Sequence, residues 1–198
     1  MMRKNSFTAS EDLVINGEKV IIREKRLTDA HDDYAWCRDS ELSRLDAAQP
    51  LNMSYSQFVT EFTSELRYPS LTRRRYGIDT LEGEHIGNCS YYNIDLHHSE
   101  TEIGIMIGNR DYWSQGYGTD TIKTLVKYIF EQTGFKRLYL KTLDWNIRAQ
   151  KCFQKCGFIP YNHLLRDSHN FMMMELTRGQ WQNLSEDKPA DKRDITAN

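Results

Sequence analysis

Residues 102–158 read EIGIMIGNRDYWSQGYGTDTIKTLVKYIFEQTGFKRLYLKTLDWNIRAQKCFQKCGF. The order is strand, glycine-bearing turn, helix, strand, helix. The turn Ser114-Gln115-Gly116-Tyr117-Gly118-Thr119 opens directly into a run whose Ile122, Leu125, Val126, Ile129 and Phe130 recur at helical spacing, with Gly134 at the C′ position. Glycines let a backbone approach a ligand closely, and a helix start offers unpaired N–H groups at its positive dipole end. The turn therefore predicts an anion-binding cup, best suited to phosphate. In the strand before it, Ile103, Ile105 and Ile107 alternate with Glu102, Gly104 and Met106, which places core on one face and a carboxylate beside an empty position on the other. Arg137 to Leu143 reads as the next strand. A second helix from about Asn146 carries the apolar stripe Ala149, Cys152, Phe153 and Cys156 and ends at Gly157.

Working outward, LVINGEKVIIREKRL places Asn16-Gly17 between two β-rich runs, a hairpin signal. Thr28 is positioned to cap a helix reaching about Ser40. Ser54 to Arg67 predicts another, with Phe58, Phe62 and Leu66 on one stripe and Pro69 as its stop. Arg75 to Leu81 and Glu84 to Leu96 predict two strands joined at Glu82-Gly83, and His97-His98-Ser99 make a further turn. Two short strands, about Phe158 to Leu165 and Phe171 to Thr177, suit an antiparallel pair. The expected domain covers residues 13–181, between a loose start (1–12) and a charged tail (182–198) expected to be disordered. Strands and helices mix without strict alternation, so the fold class is α+β, with a mixed sheet and a central β-α-β unit.

A chain of 198 residues with 39% hydrophobic content is sized for one core. The net charge of −2 supplies no basic field to recruit nucleic acid. No run reaches the roughly 20 apolar residues of a membrane span, and the opening MMRKNSFTASED does not read as a signal peptide. The four cysteines (Cys37, Cys89, Cys152, Cys156) form no CxxC pair, and read as reduced thiols of a cytoplasmic protein. His97-His98 with Cys89 lacks tetrahedral ligand spacing, so no metal site is expected.

The turn is neither of the common phosphate-binding fingerprints. A Rossmann fingerprint needs glycine where Thr121 stands, and a P-loop needs Gly-Lys-Ser or Gly-Lys-Thr. YWSQGYGTDTIKTLVKYIF followed by WNIRAQKCFQKCGF instead resembles the pyrophosphate loop and later helix of the GNAT superfamily of N-acetyltransferases, and the likeness extends over about Lys19 to Thr177. IREKRLTDA and the tryptophan-bearing loop resemble the branch with ribosomal-protein and diamine acetyltransferases. The resemblance implies a mostly antiparallel central sheet flanked by helices, and acetyl-CoA as co-substrate. It implies that main-chain groups of Gln115, Gly116, Tyr117, Gly118 and Thr119 hold the pyrophosphate, that Met106, Ile107 and Gly108 pair with the pantetheine arm, and that Asn146 contacts that arm. Two positions depart from the family pattern: Trp113 stands where Gln or Arg is usual, and Phe153 replaces a tyrosine that often protonates the departing thiolate.

The acceptor implied is a primary amine, on a small molecule or a protein N-terminus, with the protein a monomer or homodimer. Transfer requires the amine to be neutral. An alkyl ammonium has a pKa of about 10.4 against about 7.7–8 for an α-amino group, so the former needs about 3–4 kcal/mol more help from a base. Glu102, fourteen residues before Gly116, is the candidate base, and a solvated strand glutamate is the plain alternative. Cys152 and Tyr161 could replace the missing tyrosine, although a cysteine on an apolar stripe ordinarily belongs to a core. No Ser-His or Cys-His signature calls for a covalent intermediate. Two rivals stand beside the enzyme: an acyl-CoA sensor without catalysis, favoured by Phe153, and a nucleotide-binding regulatory module.

Overall fold

A computed structural model describes residues 13–186. The strands are β1 (Val14–Asn16), β2 (Val20–Glu24), β3 (Arg73–Thr80), β4 (His85–Asp95), β5 (Glu100–Ile107), β6 (Arg137–Leu143), β7 (Ile159–Arg166) and β8 (His169–Thr177). The helices are α1 (Ala30–Arg38), α2 (Ser40–Leu45), α3 (Tyr55–Arg67), α4 (Tyr117–Gln132), α5 (Ile147–Lys155) and α6 (Arg178–Glu186). The strands form one sheet in the order β1-β2-β3-β4-β5-β6-β8-β7, antiparallel at every pairing except β5 with β6. The expected α+β class is what the structure has.

The apolar stripe of α4 meets the sheet. Ile122, Leu125 and Ile129 are fully buried in the same cluster as Val20, Ile22, Ile78, Ile86, Leu138 and Leu140. Burial of each such side chain contributes about 1.5–3 kcal/mol. On β2 the next residue in the alternation, Arg23, turns to the opposite face. There its guanidinium pairs with Asp29 (2.8 Å) and Asp79 (2.6 Å), while Lys25 sits 2.7 Å from Asp33. These buried pairs tie α1 and the turn before it to the sheet.

Several local expectations change. Thr28 lies inside a 3-10 turn, Leu27–Asp29, because the Asp29 carboxylate takes the Arg26 N–H (2.8 Å) and closes that turn first. The α2 helix, unforeseen, is capped by Asp39, whose carboxylate accepts from the N–H groups of Glu41 and Leu42. Ser54 caps α3 reciprocally with Gln57, as its sequence invites. The hairpin at Asn16-Gly17 forms without a left-handed glycine: the N–H groups of Glu18, Lys19 and Val20 donate to the Asp120 carboxylate at 3.2, 2.8 and 3.1 Å.

Gly134 is not left-handed either. The open carbonyls at the end of α4 and just beyond it, Phe130, Thr133 and Phe135, accept from the Arg178 guanidinium instead. That contact anchors α6, whose Trp181 stacks near Phe130 (centroids 5.3 Å apart). Helix α6 runs past residue 181 to Glu186, into the stretch expected to be a disordered tail; the remaining expected loose ends, 1–12 and 187–198, lie outside the described residues.

Candidate active site

The ladder between β5 and β6 stops at Glu102 opposite Tyr139, although β5 continues to Ile107 and β6 to Leu143. The strands part beyond that point. A cleft of about 410 Å³ occupies the gap, closed by the N-terminus of α4, by α5 and by the end of α2. This volume lies in the range of small-molecule sites.

At its foot is the predicted turn. Gly116 has φ +94°, ψ −10°, a left-handed conformation that strains any residue with a Cβ, and it starts α4 with no side-chain cap. By contrast α2, α3 and α5 begin under Asp39, Ser54 and Asn146. The first bond inside α4 runs from Asp120 N–H to the Gly116 carbonyl (2.9 Å), so the N–H groups of Tyr117, Gly118 and Thr119 have no partner within the helix. The one acidic side chain of that first turn, Asp120, is spent on the β1–β2 turn and does not compete for them. Gly116, Gly118 and Thr119 line the cleft.

Of the other expected coenzyme residues, Met106, Ile107 and Asn146 line it too. Asn146 caps α5 by accepting the Ala149 N–H (3.2 Å), which leaves its amide donors available. The carbonyl of Ile107 is engaged by the Trp113 indole (2.7 Å), and the Arg148 guanidinium lies 3.6 Å from a ring centroid of Trp113. The residue that departs from the family pattern thus pins the strand end and supports a cation above the cleft.

Three expected residues stand aside from the lining. Gly108 gives its N–H to Ile86 (2.9 Å), and Trp36 fills the space where a Cβ would be. Gln115 turns its amide to the Asp111 carbonyl, and the Tyr117 ring stacks edge-on against Tyr112.

Glu102 is 3% exposed and is not in the lining, so it is neither a solvated glutamate nor a group that meets the cleft directly. Its Oε1 accepts from the Tyr92 hydroxyl (2.9 Å) and Lys141 Nζ (2.8 Å), and its Oε2 from Asn93 Nδ2 (2.9 Å). A bulge in β4 between Tyr92 and Asp95 aims Asn93 at it, with φ +51° at Asn93. Tyr92 and Lys141, its donors, do line the cleft. Burial first, and Glu102 second, push the Tyr92 phenol up, so it stays a donor at neutral pH.

The carboxylate that faces the cleft is Asp46. It caps the C-terminal end of α2, where the dipole disfavours negative charge. Although Asp46 is an exposed residue, enough protein surrounds its carboxylate for desolvation to push its pKa up, against the pull of Lys141 and Arg73. No sequence pattern marks this residue, because its role depends on where the end of α2 lies relative to β4 and β6.

Phe153 lines the cleft as an apolar wall. Tyr161 is not in the lining. Cys156 is buried as expected of a core cysteine, whereas Cys152 is only partly buried and lines the cleft. All four cysteines are free. Among the described residues no group of His, Cys, Asp and Glu could hold a metal ion, and no helix is long and apolar enough to cross a membrane.

The sequence matches the family described as the acetyltransferase (GNAT) domain over residues 19–159. The chain belongs to the GNAT acetyltransferase family. A spermidine N-acetyltransferase from Vibrio cholerae, solved with CoA and spermine, superimposes with a TM-score of 0.75 at 16% identity, covering 83% of this chain and 98% of that one. An aminoglycoside acetyltransferase solved with coenzyme A gives 0.70 at 20% identity over 84% and 99%. At these identities the likeness is one of fold. An uncharacterised protein of Methanocaldococcus jannaschii is 32% identical over 71 residues, which is 36% of this chain and only 14% of that protein's length.

Proposed function

We propose that this GNAT chain moves an acetyl group from acetyl-CoA directly to a primary amine. The observation that carries the reading is the uncapped start of α4 at the foot of a cleft whose walls, β5 and β6, have parted. Three outward N–H groups and a helix dipole suit a diphosphate. The parted strands leave room for an extended arm to pair with β5. The Vibrio spermidine N-acetyltransferase was solved with CoA and spermine, and an aminoglycoside acetyltransferase with coenzyme A and kanamycin, which supports a small amine acceptor beside the protein N-terminus. In the transfer the amine nitrogen attacks the thioester carbonyl, the C–S bond breaks, and the amine proton passes to a base.

Asp46 is the carboxylate placed to hold a cationic amine and accept that proton; Glu102 acts behind it, fixing Tyr92 and Lys141. Glu102→Gln is expected to cost about 1–3 kcal/mol of stability, because Lys141 loses its buried partner. Turnover should fall with the shape of the pH–rate profile unchanged. A loss confined to neutral pH and restored at high pH would instead make Glu102 the direct base.

The reading is tested by measuring free CoA released from acetyl-CoA across a panel of polyamines, aminoglycosides and N-terminal peptides. At least one amine should raise release far above hydrolysis. Binding of acetyl-CoA with no release by any amine would identify a sensor, in keeping with Phe153, and absence of coenzyme binding would end the reading.

A further inference from the structure

The cleft carries charge of one sign at one end and of both signs at the other. Beside the uncapped turn of α4, the charged lining residues are Arg148, Lys151 and Lys155, all from α5 and its end. At the end closed by α2 they are Asp46 and Lys141. Asp46 is the sole carboxylate of the lining among the described residues.

Lys141 is placed by the sheet. On β6 it alternates with Tyr139, which is in register with Glu102 on β5, so Lys141 shares the face of Glu102. One of its three ammonium N–H groups goes to Glu102 (2.8 Å), and two remain for a ligand. Tyr92 and Asn93 donate to the same carboxylate, so Lys141 has only part of that negative charge. A second cation comes from β3. Arg73 is opposite Tyr92 across the β3–β4 ladder and sets its guanidinium 5.5 Å from the centroid of that ring. Its neighbour Arg75 pairs with Glu65, whereas Arg73 has no ion pair among the described residues. Gly104 leaves the ring its place, since a Cβ there would meet Tyr92 Cε1 at 3.3 Å. Arg73 and Lys141 both act on the Asp46 carboxylate through space. One carboxylate and two cations thus gather at the same end of the cleft, where Leu42, Leu45 and Phe171 supply apolar wall.

An acceptor with several amines is poorly served there. Its first ammonium can meet Asp46, but each further one meets Lys141 and Arg73 with no second carboxylate in the lining. An amine accompanied by an acid satisfies both signs. Given the acyl-transfer reading, on which this rests, we propose that the acceptor is a small amine bearing an anionic group, carboxylate or phosphate, with its amine at Asp46 and its acid at Lys141 and Arg73. The amine nitrogen bonds to the acetyl carbon, the C–S bond breaks, CoA leaves as thiolate with that electron pair, and the amine proton passes to Asp46. The products are the N-acetylated acid and CoA.

The test measures CoA release from acetyl-CoA with unbranched ω-amino acids of increasing length and with O-phosphoethanolamine. Each is set against the neutral alkylamine and the diamine of equal length, with spermidine and N-terminal peptides alongside. The reacting group is an alkyl amine throughout each matched set, so differences report chiefly the far end. The best acid-bearing amine should exceed its matched diamine in kcat/KM by about tenfold or more. Arg73→Gln is the informative variant, because Arg73 is an exposed strand-end residue while Lys141 is needed by Glu102. It should raise KM for the acid-bearing amine about threefold to fivefold, with kcat and the KM of the neutral alkylamine moving less. Diamines, spermidine or N-terminal peptides outrunning every acid-bearing amine would overturn the proposal and leave acyl transfer standing, as would a preference indifferent to Arg73→Gln. CoA released by none of the amines would strike acyl transfer itself, and the acceptor class with it.

Discussion

Gly118→Asp is expected to remove coenzyme binding while leaving the fold intact. Residue 118 is the second residue of α4, and an acid in a first helical turn is favoured by the dipole. Aspartate also has a higher helix propensity than glycine. A Cβ there would meet Cys152, Ile107 and Ile105 at 3.6–4.0 Å, which is ordinary contact, so nothing in the core has to move. The carboxylate, however, would occupy the anion cup. At about 4 Å and an effective dielectric of about 20, one like-charge pair costs about 4 kcal/mol. Affinity for CoA should therefore fall several hundredfold. Calorimetric titration with CoA, beside a thermal melt, reads both quantities. A melting temperature close to that of the parent with CoA affinity lost is the expected pair; retained affinity would place the diphosphate elsewhere and remove the basis for acyl transfer.

The cup was legible because everything that makes it is local. Gly116 supplies the left-handed entry, Gly118 the clearance, and the stripe Ile122, Leu125, Ile129 the helix that presents them, all within 14 residues. Asn146 was legible for the same reason, since a cap and the helix it starts are neighbours in sequence. The parts that escaped are those whose partners are remote. Glu102 looks like any strand glutamate until Asn93 and Lys141 arrive from β4 and β6. Asp120 looks like an ordinary first-turn acid, yet it binds backbone groups a hundred residues earlier. Arg178 closes the carbonyl end of α4 from 45 residues away, a task that local reading assigned to Gly134. Periodicity and capping report a residue's neighbours along the chain. Which carboxylate faces the cleft is decided by how α2 and the sheet are placed.

That placement makes Asp46→Asn the sharpest test of the chemistry, because stability and turnover should move in opposite directions. Desolvation raises the Asp46 carboxyl in the folded chain, so between its unfolded and folded pKa values the native state binds more protons than the unfolded one. Stability contributed by this group is then lost as pH rises through that window. At neutral pH the charged Asp46 is a burden on the fold, at the unfavourable end of α2. Asparagine removes the charge at nearly constant volume, and its melting temperature at pH 7 should equal or exceed that of the parent. Turnover with the best amine should nevertheless drop by about two to four orders of magnitude, the usual worth of a positioned base. The loss should be largest for alkyl amines and smaller for α-amino acceptors, which lose their proton about two to three pH units lower. Raising the pH should recover part of it by supplying neutral amine. A carboxylate that destabilises the chain and serves no chemistry would give the first result without the second, and in that case Glu102, which holds Tyr92 and Lys141 at the cleft wall, is the next carboxylate to test.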